Sequence, residues 1–254
     1  MTETTANGPR RVALEAGGWF VAAGAFLAGL GVLVAESDGA TPPVTPVVVV
    51  VTLWTVLAAY LVVTVSATPD GRADGTLGLA NALTVARGGL YAVVAAFVTV
   101  APAGRLAWVP AVCYGVGVVL DRLDGSVART IGRETTLGRR LDMAFDTFGF
   151  VAAPLLAVAW GQLPVYYLSL SAARYVYRAG KYQRRLRGLP LYDRPESDLG
   201  RYLAGGQMVF LTLVMTPVVP PEPVALVAPL ALAPSLCVFG RDYLFVSGRL
   251  ATGD

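Results

Sequence analysis

The sequence contains no histidine. That removes histidine metal sites, serine–histidine triads and imidazole acid–base chemistry. It has two cysteines, Cys113 and Cys237, both inside apolar stretches and without metal-ligand spacing, so both read as core residues rather than as a disulfide or a zinc site. Charge is scarce: 15% of residues are Asp, Glu, Lys or Arg, against about 25% in a typical soluble domain. Lys181 is the only lysine, every other basic residue being arginine, and the net charge is +3. With so small an excess and no long basic run outside a membrane-loop context, a nucleic-acid partner is set aside. The apolar stretch after Arg10 and Arg11 is too long, and lacks the cleavage site, for a cleaved signal peptide.

What is present is long apolar runs: 55% of the 254 residues are hydrophobic. About 20 consecutive apolar residues cross the hydrocarbon core as a helix, and eight such spans can be read. They fall near Ala13–Ala35, Val44–Ser66, Asn81–Val100, Leu106–Arg129, Arg139–Trp160, Pro164–Arg178, Arg201–Val218 and Pro223–Val246. The run Val47–Val51 would suggest a strand in water, but an isolated strand in lipid leaves backbone groups unpaired, so helix is expected. The fold expected is therefore all-α, a polytopic membrane bundle of eight transmembrane helices. The first two spans form an accessory hairpin over residues 1–70, and six helices form a catalytic domain over 71–254.

Arginine sets the expected orientation. With both termini inside, Arg10, Arg11, Arg72, Arg122, Arg129, Arg133, Arg139, Arg140, the stretch Arg174–Arg201, Arg241 and Arg249 all fall on the cytoplasmic side, and only Arg105 sits clearly in an outside loop.

The chemistry concentrates in Asp121–Asp146, which reads DRLDGSVARTIGRETTLGRRLDMAFD. A carboxylate at a helix centre in a bilayer costs about 3 kcal/mol on insertion scales, and four close together repel one another. A bound cation removes both problems. Asp121 and Asp124 are three apart, Asp142 and Asp146 four apart, so each pair shares a helix face. A polar turn near Gly132–Gly138 would bring the two helices back antiparallel and set the pairs opposite each other. That makes an all-oxygen site suited to Mg²⁺ or Mn²⁺. Gly125 and Ala128 leave room for close approach, and Arg129 could clamp phosphate oxygens. Metal and arginine beside acids are the equipment of phosphoryl transfer.

Asp121, Asp124, Gly125, Ala128, Arg129, Gly138, Asp142 and Asp146 fit the pattern D-x2-D-G-x2-A-R-x8-G-x3-D-x3-D at all eight fixed positions. In this the segment resembles the signature of the CDP-alcohol phosphotransferase family. Asn81, Thr84 and Arg87 also resemble the N-x2-T-x2-R opening of that family's first core helix. The resemblance covers roughly Leu79–Val246 and implies a six-helix core, a homodimer, and an integral place in the cell membrane with the site facing the cytoplasm. It implies that Asp121, Asp124, Asp142 and Asp146 hold a two-metal centre and that Asp146 is the base deprotonating an acceptor hydroxyl. Gly125, Ala128, Arg129 and Gly138 would line the CDP site, with Asn81, Thr84 and Arg87 approaching the CDP group or the signature motif itself. The implied reaction is attack of a small polar alcohol on the lipid-side phosphorus of a CDP-linked lipid, diacyl or diether, with release of CMP.

Outside the signature, Arg174, Arg178 and Lys181 share a helix face and Arg201 opens the next helix. These four read either as a pocket for the phosphate of an acceptor such as glycerol phosphate or inositol phosphate, or as positive-inside charge touching anionic lipid. Gly200–Gln207 partly resembles the G-K-x-K-T-x2-Q stretch of members that use glycerol phosphate: Gly200 and Gln207 match, Arg201 replaces a lysine, and Leu203 and Ala204 depart. Arg241 and Asp242 read as an interfacial pair without a catalytic role. The rival function is a transporter or channel with an intramembrane cation site, which would call for polar residues at matched depths in several helices.

Overall fold

A computed structural model describes residues 44–67, 79–131, 136–193 and 198–250, and the single helical positions Leu14, Gly17, Gly18 and Gly29. For 44, 66, 79–80 and 124–131 the description is of the backbone alone. The rest of the first expected span, the linker residues 68–78 and the turn at 132–135 lie outside these residues. Among the described residues there are seven α-helices and no strand. Five of them supply segments long and apolar enough to cross a membrane, which makes this a helical membrane bundle.

Helix α1 (Val44–Ala67) includes the β-branched run, as expected. Its 24 residues span about 36 Å at 1.5 Å per residue, enough for a bilayer core. It is largely apolar, yet only one stripe is buried, with Val50, Trp54, Leu61, Thr64 and Val65 in it, while Val48, Val51, Val56, Val62 and Val63 are exposed. The stripe faces α2 (Leu79–Ala96), where the Trp54 indole donates to the carbonyl of Gly89 at 3.2 Å.

Helix α2 is the hub, packed on α3 (Val109–Ile131) and α4 (Thr136–Ala159). On α3 the outward stripe is Val112, Val116, Val119 and Leu123, while Tyr114, Gly117 and Asp121 lie on the opposite face at i, i+3 and i+7. On α4, Leu137, Leu141, Phe145, Ala152 and Leu156 are buried, with Asp142 and Asp146 directly beside them. Glycines set the spacing. A Cβ at Gly117 or at Gly149 would come within 2.5 Å of the Tyr91 ring, and one at Gly88 would collide with Phe145. The Tyr91 ring thus fills the space between α3 and α4 because neither helix has a side chain there.

The second half is α5 (Ser169–Leu186), α6 (Leu199–Val214) and α7 (Pro221–Val246). Helix α7 begins with Pro221 in its first turn and Glu222 behind it, both suited to a helix N-terminus. Helix α5 departs from the expected span. A 3₁₀ segment, Val165–Leu168, precedes it, and the helix, which carries five basic residues, runs to Leu186 rather than ending at Arg178. Neither it nor α6 is among the five membrane-length segments. The halves join where α3 meets α6 and where α4 meets α5 and α6. Both cysteines are free; Cys113 is buried, but Cys237 is exposed on α7, contrary to its expected place in the core.

Candidate active site

The carboxylates of Asp121, Asp142 and Asp146 converge where α2, α3 and α4 meet. Each offers one oxygen, and the three oxygens lie within 4.8 Å of one another. Two contributions bring them together: the i, i+4 spacing on α4 and the face of α3 that carries Tyr114, Gly117 and Asp121. All three acids are partly buried.

At their centre is Arg87, 0% exposed. Its Nη2 donates to Asp142 Oδ1 at 2.6 Å. Its Nη1 donates to Asp121 Oδ1 and lies 3.1 Å from Asp146 Oδ1. A buried guanidinium without partners would be strongly unfavourable; here three acids surround it. Below this layer, on the next turn of α2, sits the wholly buried Tyr91, whose ring lies 5.1 Å from that of Tyr114 on α3.

The donor set fits a hard divalent cation: three carboxylates, all-oxygen, close enough to share one or two ions. Asp124, Gly125, Ala128 and Arg129 lie on the last turns of α3, where the description is of the backbone. Gly138 is half-buried in the first turn of α4. Asn81 is half-buried and Thr84 buried on α2, both engaged with neighbours.

A cavity of about 720 Å³ opens beside this site, between α4, α5, α6 and α7. Arg174, Arg201, Arg241, Asp198, Asp242 and Gln207 are among its lining residues. Arg174 connects it to the acids: its Nη1 donates to Thr147, the neighbour of Asp146, at 3.4 Å, and its guanidinium lies 4.8 Å from the centre of the Phe150 ring. Arg201, whose side chain is 83% exposed, is 3.0 Å from Asp198. Arg241 donates from Nε and Nη2 to Asp242 Oδ1 at 3.2 and 2.9 Å.

Of the four expected phosphate-binding residues, Arg174 and Arg201 line the cavity. Arg178 is exposed on α5 and Lys181 lies 5.6 Å from the Tyr177 ring; neither is among the lining residues.

Two contributors were missed from the sequence. The Arg241–Asp242 pair exists, but it lines the cavity instead of only marking an interface. Gln207 is a buried junction: Tyr167 donates to its Oε1 at 2.5 Å, and its Nε2 donates to the Ala231 carbonyl at 2.6 Å and to Ser235 at 3.0 Å. It ties α6 to the stretch of α7 between Pro229 and Pro234, where the helix lacks two of its own N–H donors.

Comparison with curated proteins and with solved structures gives no match. A family model described as CDP-alcohol phosphatidyltransferase matches residues 77–238. The match takes in the helices that carry Arg87, the acids, Arg174, Arg201 and Gln207, and leaves out α1. With more than half of its length inside that match and three signature aspartates gathered at one point, the chain belongs to the CDP-alcohol phosphatidyltransferase family.

Proposed function

We propose that this protein transfers a phosphatidyl-type group, diacyl or diether, from a CDP-linked lipid to a small phosphorylated alcohol, releasing CMP. Family membership supports transferase activity of the phospholipid type. The observation that carries the finer reading is the adjacency of two sites of opposite character. Three carboxylates converge beside a cavity with three guanidiniums, and one of these, Arg174, donates to Thr147, the residue after Asp146. An acid cluster with cations suits the donor's pyrophosphate. An arginine-lined cavity one residue from Asp146 suits an acceptor that carries its own phosphate.

In this reading Asp121, Asp124, Asp142 and Asp146 hold Mg²⁺ or Mn²⁺. When bound, the metal neutralises the pyrophosphate and the charge that develops on departing CMP. Arg174 and Arg241 hold the acceptor phosphate and aim its hydroxyl towards Asp146. Asp146 takes the hydroxyl proton as the acceptor oxygen bonds to the lipid-side phosphorus. The bond from that phosphorus to the bridging oxygen breaks, and CMP leaves with the electron pair. Gly125, Ala128, Arg129 and Gly138 would line the CDP group. Helix α1 and the residues before it form an accessory unit outside the catalytic domain. The site faces the cytoplasm: Arg139, Arg140 and Arg201 lie near its end of the bundle, whereas Arg105 lies at the far end of α3.

The test is CMP release by the purified protein in detergent, with a CDP-linked lipid, Mg²⁺ or Mn²⁺, and acceptors with and without phosphate. Metal-dependent release requiring a phosphorylated acceptor, and absent in Asp146→Asn, is expected. Release with uncharged alcohols alone would remove the role given to the arginine cavity. No release by folded protein would remove the reaction.

A further inference from the structure

We infer that Arg87 is a fixed internal counter-cation that weakens divalent-metal binding at the carboxylates it joins, so that the site's metal affinity is set from outside the signature segment. The inference rests on reading those carboxylates as a metal site.

The guanidinium is committed to the acids. Both of its terminal nitrogens face carboxylate oxygens, and none of its side chain is exposed. The surrounding packing holds it there. The next residue, Gly88, lies flush against Phe145, and one turn on, Tyr91 fills the space between Gly117 and Gly149. To leave, the guanidinium would have to cross a packed three-helix contact as an unpaired, desolvated charge, which is strongly unfavourable. It therefore stays when a metal ion arrives.

Its contacts use one oxygen, Oδ1, from each of Asp121, Asp142 and Asp146. A metal ion at this cluster would draw on carboxylates that already neutralise the guanidinium. An ion held there shares its ligands with a positive charge only a few ångströms away. Like charges at that distance in a poorly solvated site oppose each other strongly. The same contacts explain how three acids coexist near a bilayer with little mutual repulsion: one cation is built into the fold. Of the two expected placements of Arg87, at the CDP group or at the signature motif, its nitrogens take the second.

The full chain in detergent provides the test, with Mn²⁺ binding followed by the loss of the free-ion electron paramagnetic resonance signal, and melting temperature measured in chelator and in Mg²⁺. Arg87→Gln is expected to bind Mn²⁺ about tenfold or more tightly than the wild type. It should melt lower in chelator and gain more from Mg²⁺. Arg87→Lys, whose ammonium cannot span three carboxylates, should bind about threefold more tightly. It carries the test if Arg87→Gln is not recovered folded. Unchanged or weaker Mn²⁺ binding in the variants, with the wild type binding normally, overturns the inference alone. Weaker CMP binding with unchanged Mn²⁺ affinity does so too, and returns Arg87 to the nucleotide. Absence of Mn²⁺ binding in the wild type overturns both the inference and the metal site.

Discussion

Between α2, α3 and α4, three carboxylates share one guanidinium that is sealed from solvent. Between α4, α5, α6 and α7, three guanidiniums line an open cavity, and two of them pair with a carboxylate: Arg201 with Asp198, and Arg241 with Asp242. The first region is short of positive charge and invites cations. The second holds one guanidinium more than carboxylates among these lining groups and invites an anion. Their construction differs as well. The acids come from one segment of 26 residues, Asp121–Asp146, whereas the cavity draws on residues from Phe150 to Asp242. A compact, closely held cluster suits chemistry at a fixed point, and a wide cavity with individually paired arginines suits an exchangeable substrate.

Removing the proposed base should break the acidic region outright. Asp146→Asn is nearly isosteric, and CMP release should fall by about 10³-fold while the melting temperature changes little. In the cavity, Arg174→Ala or Arg241→Ala should raise KM for a phosphorylated acceptor by about 10- to 100-fold, the worth of a charged hydrogen bond. KM for an uncharged alcohol should hardly move; equal losses for both acceptors would dissolve the distinction between the two regions. Gly149→Ala, which sets a methyl against the Tyr91 ring, should destabilise by about 1–3 kcal/mol, read as a lower melting temperature in detergent. Arg201→Ala should cost a phosphorylated acceptor only about threefold in KM, because the side chain is exposed and screened. Smallest of all, Arg178→Ala should leave acceptor KM within about twofold, as expected for a solvated surface charge.

The contrast also explains what could be read from the sequence. Helix positions were legible because a membrane span is a simple length and polarity signal: α1, α2, α3, α4 and α7 start and end within a few residues of expectation. The acids were legible because fixed gaps on two successive helices determine which faces they occupy. Arg87 was partly legible: it was expected at the CDP group or at the motif, and nothing in its local spacing says that α2 packs on both α3 and α4, which puts it among the acids. The cavity was only half legible. Arg174 and Arg201 were candidates on their own helices, but so were Arg178 and Lys181, and helical periodicity alone does not say which turn faces α7. Arg241 was set aside because adjacent opposite charges look self-sufficient; only the fold shows which space the pair borders. Gln207 carried a weak motif signal and nothing that foretold its partners Tyr167, Ala231 and Ser235.

The Tyr91 layer has a consequence for the cell rather than for the reaction. A charged crater sunk into a bilayer is a potential leak for protons and metal ions, driven by the membrane potential. Directly under the carboxylates, the chain places aromatic rings with no exposed surface, Tyr91 and Tyr114, the first seated against the backbones of Gly117 and Gly149. Ions drawn to the carboxylates from one side would meet this layer before they could reach the other. An organism can keep such a site open to one compartment without discharging the gradient it lives on.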